Sequence, residues 1–426
     1  MIKTITCKNG LRIVHEHIPT TNALSIGVWV KAGSNDERPE QAGLAHFIEH
    51  MLFKGTATRS AKDIATIFDR MGGELNAFTS KESTCYHTTV LHDDAKEALH
   101  ILADMIYSST FSQIEIAKEQ DVILEEIAMY EDTPDDEVHE LVWKALFPDH
   151  PFGKPVLGTE QTVKSFTKQS IETFMDTFYR PERIVISLAG AYDEALLTEI
   201  ENIFQFERTN AARPAPVLSK PIARNGFTLM KKDIEQAHYC IGFPSIAIDD
   251  DAKYPLSIID SIVGSSMSSR LFQEVREARG LAYSIFSYYT AYEHGGAFMI
   301  YGGTSVEKLQ ALQQTIFDVL RTLVREGVTM EEVTQARTAV KNSFLLGLDG
   351  TEAKMSRNGH QTLILNEQLD ETAICQKLDQ VTLEEINQLI CDIFTNTYAR
   401  AIIMPEEVPQ FDETAPKIVL AKEQVQ

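Results

Sequence analysis

Residues 9–33 read NGLRIVHEHIPTTNALSIGVWVKAG, and residues 225–248 read NGFTLMKKDIEQAHYCIGFPSIAI. Each begins on Asn-Gly, a turn dipeptide, and passes into β-branched and aromatic residues of strand type. Asn225 lies 225 − 9 = 216 positions after Asn9, and the Ile-Gly pair recurs after 241 − 26 = 215. The register persists downstream. AGLAHFIEHMLFKG (residues 42–55) faces YPLSIIDSIVGSS (residues 254–266), and FSQIEIAKEQDVILEEI (residues 111–127) faces VTMEEVTQARTAVKNSF (residues 328–344), now offset by 328 − 111 = 217. A near-constant offset of half the chain over three segments indicates an internal duplication.

Between the copies lies FERTNAARPAPVLSKPIARNG (residues 206–226), whose Pro214, Pro216 and Pro221 deny it regular hydrogen bonding. The expected domains are residues 1–207, a linker 208–224, and residues 225–426. Within the first copy, LNAFTSKESTCYHTTVL (residues 75–91) has the near-alternating Thr, Phe, Tyr and Val of a hairpin or edge pair. KEALHILADMIYSS (residues 96–109) and QIEIAKEQDVILEEIAMYED (residues 113–132) have the three- and four-residue apolar spacing of amphipathic helices. Strands in meander order with helices on one face give an α+β class: two homologous sandwich domains with mainly antiparallel sheets.

The 426 residues exceed one hydrophobic core, and 43% apolar with 24% charged residues excludes wholesale disorder. A net charge of −23 repels phosphate backbones and anionic headgroups, so nucleic acid and membrane are excluded as expected partners. Five scattered cysteines without a C-x-x-C pair indicate a reducing compartment. With no run of ~18 apolar residues and no basic-then-apolar leader, a cytoplasmic location is expected.

Residues 46–50 read His-Phe-Ile-Glu-His. On a helix, His46 and His50 share one face and Glu49 lies beside them. Two imidazoles and a neighbouring carboxylate suit Zn²⁺, and this order is that of inverted zincins. Composition alone produces the motif only about 0.03 times in such a chain. A third ligand is sought on the later helix. At 100° per residue from Ile116, Glu126 falls near ~280° and Glu119 near ~300°, at the margin of the apolar stripe, while Glu125 near ~180° faces water. A carboxylate held at an apolar margin needs a positive partner.

The spacing of Glu126 after His50 (126 − 50 = 76), with GLAHFIEHMLFKGT (residues 43–56) and DVILEEI (residues 121–127), resembles the pitrilysin/insulinase family of metallopeptidases, in particular its short branch akin to the mitochondrial processing peptidase. The resemblance implies one zinc ion per chain on His46, His50 and Glu126, Glu49 as general base, and Glu119 as a supporting carboxylate. GGELNAFTSKESTCYHT (residues 72–88) resembles the family's substrate-bearing edge strand, which makes Asn76, Ala77, Phe78 and Thr79 peptide contacts. GSSMSSRLFQEVREARGLAYS (residues 264–284) resembles its Arg–Tyr segment, which makes Arg276 and Tyr283 donors to a substrate carbonyl. In the second copy Ile258, Ser261 and Ile262 stand opposite His46, Glu49 and His50, and Ser343 stands opposite Glu126, so that copy has no metal set. The family closes two such chains, or halves, around unfolded peptides. A zinc endopeptidase working as a homodimer is therefore implied. The alternatives are a heterodimer with a metal-free homologous subunit, or a non-catalytic scaffold.

Overall fold

The computed structural model describes residues 2–205 and 218–407, so residues 208–217 of the expected linker and the end of the second expected domain lie outside the described residues. The first sheet comprises β1 (Ile2–Thr6), β2 (Arg12–His17), β3 (Ala23–Val30), β4 (Glu74–Thr79), β5 (Thr84–Leu91) and β6 (Ile184–Gly190), in the order β1-β2-β6-β3-β5-β4. The second comprises β7 (Phe227–Lys232), β8 (Ala237–Ser245), β9 (Ser284–Tyr292), β10 (Gly295–Thr304) and β11 (Ala399–Pro405), in the order β7-β11-β8-β10-β9. Without β1 the two orders are identical, and each sheet has a single parallel pair, β2 with β6 and β7 with β11. Ile26-Gly27 falls on β3 and Ile241-Gly242 on the equivalent β8. The duplication read from the offsets is thus a duplication of topology, and both domains are α+β.

One face of the first sheet carries Leu24, Ile26, Val28 and Val30, fully buried against α1 (Leu44–Leu52), α2 (Ala61–Met71) and α3 (Ala95–Ser108). α2 starts at Ser60, whose hydroxyl accepts from Asp63 N while the Asp63 carboxylate reaches back to Ser60 N, a capping box. The hairpin expected over residues 75–91 is β4 and β5, antiparallel with Thr79 opposite Thr84, and β4 is the sheet edge. α4 (Gln113–Glu131) follows α3.

The compact units differ from the contiguous spans 1–207 and 225–426. Unit 1 takes residues 346–370 from the second half, and unit 2 takes residues 130–153 from the first. Helix Thr351–His360 lies on the face of the first sheet that bears Ser25, Gly27 and Trp29: Thr351 Oγ1 is 2.8 Å from Ser25 Oγ, and Ser187 Oγ donates to Met355 O at 2.7 Å. Glycine permits this approach. A Cβ on Gly27 would lie 2.3 Å from Met355 Sδ, and one on Gly359 would lie 2.2 Å from Trp29 Nε1. In unit 2, α5 (Pro134–Leu146) does the same, burying Val138, Val142 and Leu146 against Cys240, Met299 and Ala401. Each sheet therefore has a helix on its second face as well, supplied by the other half of the chain.

Candidate metal centre

α1 begins at Gly43, which has φ +91°, and a Cβ there would lie 2.5 Å from Leu157 O. Glycine is required, so the N-cap position has no side chain with which to satisfy the first N–H groups. Glu37 replaces it: its carboxylate, buried, accepts from Gly43 N at 2.8 Å and from Ala45 N at 2.7 Å. Burial pushes the Glu37 carboxyl up to about 8, against the pull of those two N–H groups. The helix held this way is short, and all its residues but His50 are buried.

His46 and His50, one turn apart, bring their ring centroids to 4.5 Å. α4 brings Glu126 to them: its Oε2 lies 3.7 Å from His46 Nε2 and 3.6 Å from His50 Nε2. Two turns earlier on α4, Glu119 is 2% exposed, with Oε1 2.7 Å from His50 Nδ1 and Oε2 2.6 Å from Lys54 Nζ. Glu125 is exposed, as the helical phasing requires. Glu49 is buried on α1, and its Oε2 accepts from Thr79 Oγ1 at 2.5 Å.

The electrostatics suit a cation. Burial, helped by neighbouring His50, pulls His46 down to about 3, which keeps that imidazole neutral with a free lone pair. His50 is lowered by burial, but the hydrogen bond and charge of Glu119, with Glu49 and Glu126, carry it above its ordinary value. Glu119 is raised by burial yet ends below the usual range because His50 and Lys54 stabilise its charge. Burial pushes Glu49 up.

His46, His50 and Glu126 each present a ligand atom within 4.8 Å of the others, and they are the one such group of three among the described residues. Tetrahedral zinc ligands at ~2.0–2.1 Å stand about 3.3–3.4 Å apart, close to the observed 3.6–3.7 Å. With Glu119 accepting from His50 Nδ1–H, the Nε2 lone pair of that ring is left for the ion, an arrangement common behind metal-bound histidines. The donor set fits zinc.

The other residues singled out in the sequence separate into two places. Asn76, Ala77, Phe78 and Thr79 all lie on edge strand β4, hydrogen-bonded to β5 on one side. Phe78 is 40% exposed and packs edge-on against Trp29, whereas Thr79 turns to Glu49. Arg276 and Tyr283 belong to unit 2. There the Arg276 guanidinium sits 4.5 Å from the centre of the Tyr283 ring and 4.8 Å from that of Phe272, and Tyr283 is 83% exposed. In the same unit Ile258, Ser261 and Ile262 are all buried on helix Lys253–Val263. Glu37 and Lys54 were not evident from sequence. A glycine N-cap before the zinc motif hints that an acid must come from elsewhere; nothing in the spacing pairs Lys54 with Glu119.

Two family models match the chain: the insulinase (peptidase family M16) model over residues 12–160 and the peptidase M16 inactive-domain model over residues 165–340. Among curated relatives, an uncharacterized zinc protease of Bacillus subtilis, YmxG, is 46% identical over 405 residues, covering 95% of this chain and 98% of that protein. An uncharacterized zinc protease of Mycobacterium leprae is 37% identical, covering 94% and 91%. Among solved structures, a protease from Helicobacter pylori superposes with a TM-score of 0.88 over 95% of this chain and 99% of its own, at 20% identity, a likeness of fold. A zinc-type donor set on an H-x-x-E-H helix in the first of two like-folded domains, with the second domain lacking it, agrees with this pair of models, and the chain belongs to the peptidase M16 (insulinase) family.

Proposed function

We propose that this protein is a zinc-dependent endopeptidase that hydrolyses unfolded or short peptides, with one zinc ion per chain held by His46, His50 and Glu126. The observation that carries the reading is Glu49, a buried carboxylate one residue before a ligand, on the same helix face as both histidines and held in place by Thr79. A scaffold has no use for that group. A bound zinc ion supplies Lewis acidity, polarising a carbonyl and bringing the pKa of water towards ~7. Glu49 then serves as general base: it takes the proton of the attacking water and delivers it to the leaving amine. Glu119, tied to Lys54, keeps the His50 ring in one orientation. The free edge of β4 offers backbone groups to an extended peptide, a mode of binding that asks little of substrate sequence. Arg276 and Tyr283 are suited to donate to the oxygen on which charge develops.

Because one chain carries both the metal set and the Arg276–Tyr283 pair, a homodimer is the assembly we favour over a heterodimer with a metal-free subunit. No helix among the described residues is long and apolar enough to cross a membrane, and five free cysteines support a cytoplasmic location. The test is metal removal. Chelated protein is expected to lose all hydrolysis of an unstructured fluorogenic peptide and to regain it at one zinc per chain; hydrolysis that resists complete removal of metal would defeat the proposal.

A further inference from the structure

The side chain of Thr79 faces the base. Thr79 stands opposite Thr84 across the β4–β5 hairpin, and Thr84 is fully buried with its hydroxyl donating to Ala32 O at 2.9 Å. With that proton committed, Thr84 can only accept from Thr79, and it does so at a distance of 3.4 Å, far longer than the 2.5 Å from Thr79 Oγ1 to Glu49 Oε2. An ionised carboxylate only accepts. The Thr79 proton therefore goes to Glu49 Oε2, at the short distance of a charge-assisted bond. Glu49 Oε1 has no hydrogen bond to the described residues. The carboxylate is thus fixed by one oxygen and presents the other.

We infer that Thr79 is a positioning residue for the general base, acting through its hydroxyl, and that its side chain is not part of the peptide-binding set to which the family resemblance of residues 72–88 assigns it. One hydrogen bond from a strand paired along its length with β5 restricts the rotamers open to the Glu49 side chain. The inference rests on the peptidase reading above. Because the Thr79 hydroxyl bonds to Glu49 and Thr84 and to none of His46, His50 or Glu126, its removal acts on proton transfer and leaves both metal and peptide binding in place.

The test uses the full-length zinc-loaded protein and compares Thr79→Val, Thr79→Ser and Glu49→Gln on one unstructured fluorogenic peptide, with zinc affinity measured by chelator competition. Valine keeps the β-branched shape that a strand prefers and deletes only the hydroxyl. Thr79→Val is expected to lower kcat about 10–100-fold, the scale of a misplaced catalytic group, at unchanged KM and unchanged zinc affinity. Thr79→Ser restores kcat to within a few-fold of wild type. In the Glu49→Gln background, adding Thr79→Val has no further effect on kcat, since the group it positions is gone. With wild type active and Glu49→Gln slowed about 10²–10⁴-fold, a Thr79→Val enzyme of normal kcat would overturn the inference while the peptidase reading stood. So would a loss confined to KM, or a loss that serine fails to rescue. A Glu49→Gln enzyme within a few-fold of wild type would instead strike the general-base role of Glu49 on which the inference rests, and a wild type that hydrolyses no peptide would strike the peptidase reading itself.

Discussion

Glu49→Gln is expected to hold zinc as tightly as wild type and to hydrolyse an unstructured fluorogenic peptide with kcat lower by about 10²–10⁴-fold, the range that general-base catalysis contributes. The substitution is close to isosteric. Its amide oxygen can still accept from Thr79 Oγ1, which in the native protein donates to Oε2 at 2.5 Å, so the helix and its two histidines have no reason to move. What is lost is the ability to take a proton. Burial pushes the native carboxyl up from its ordinary value, with Thr79 and His50 limiting the rise. Zinc content after purification and steady-state kinetics on the same sample separate the two effects. Activity within a few-fold of wild type would remove Glu49 from the proton-transfer role, and equal loss of zinc and activity would make it a structural partner of the ligands.

The second large effect concerns α4. Glu126→Gln is expected to weaken zinc binding by more than the ~10–100-fold typical of an outer partner, because it takes a charged oxygen from the ion itself. Glu125→Gln, one residue earlier, is expected to leave zinc affinity unchanged. The contrast follows from helix geometry: a step of 100° turns Glu125 to water while Glu126 lies 3.6–3.7 Å from both imidazole nitrogens. Competition against a chromophoric chelator reads both variants. Equal losses at the two positions would mean that α4 is rotated from the orientation described.

Much of this site is legible in the residues because its signals are local. His46, Glu49 and His50 share a face by the period of the helix, and Glu119 and Glu126 share another by a seven-residue step. The Asn-Gly turns and the Ile-Gly pair recur at a half-chain offset and lie on topologically equivalent strands. What escaped the sequence reading depends on contacts between distant segments. Helix Thr351–His360 fits the first sheet because Gly27 and Gly359 have no Cβ, yet glycine in a strand or helix is read equally well as a bulge, a bend or a close approach. The pairing of Lys54 with Glu119 spans 119 − 54 = 65 residues and leaves no periodic trace. For Thr79, strand alternation places it on the opposite face from Asn76 and Phe78, but alternation alone does not reveal which face meets α1. Only the packed structure shows the hydroxyl reaching Glu49.

The most direct measurement is X-ray absorption at the zinc edge on the purified protein loaded with one equivalent of metal. Convergence of His46, His50 and Glu126 on one ion predicts a first shell of nitrogen and oxygen only, at ~2.0–2.2 Å, with the multiple scattering of two imidazole rings. Sulfur at ~2.3 Å, a single imidazole, or a protein that fails to retain the equivalent would contradict it.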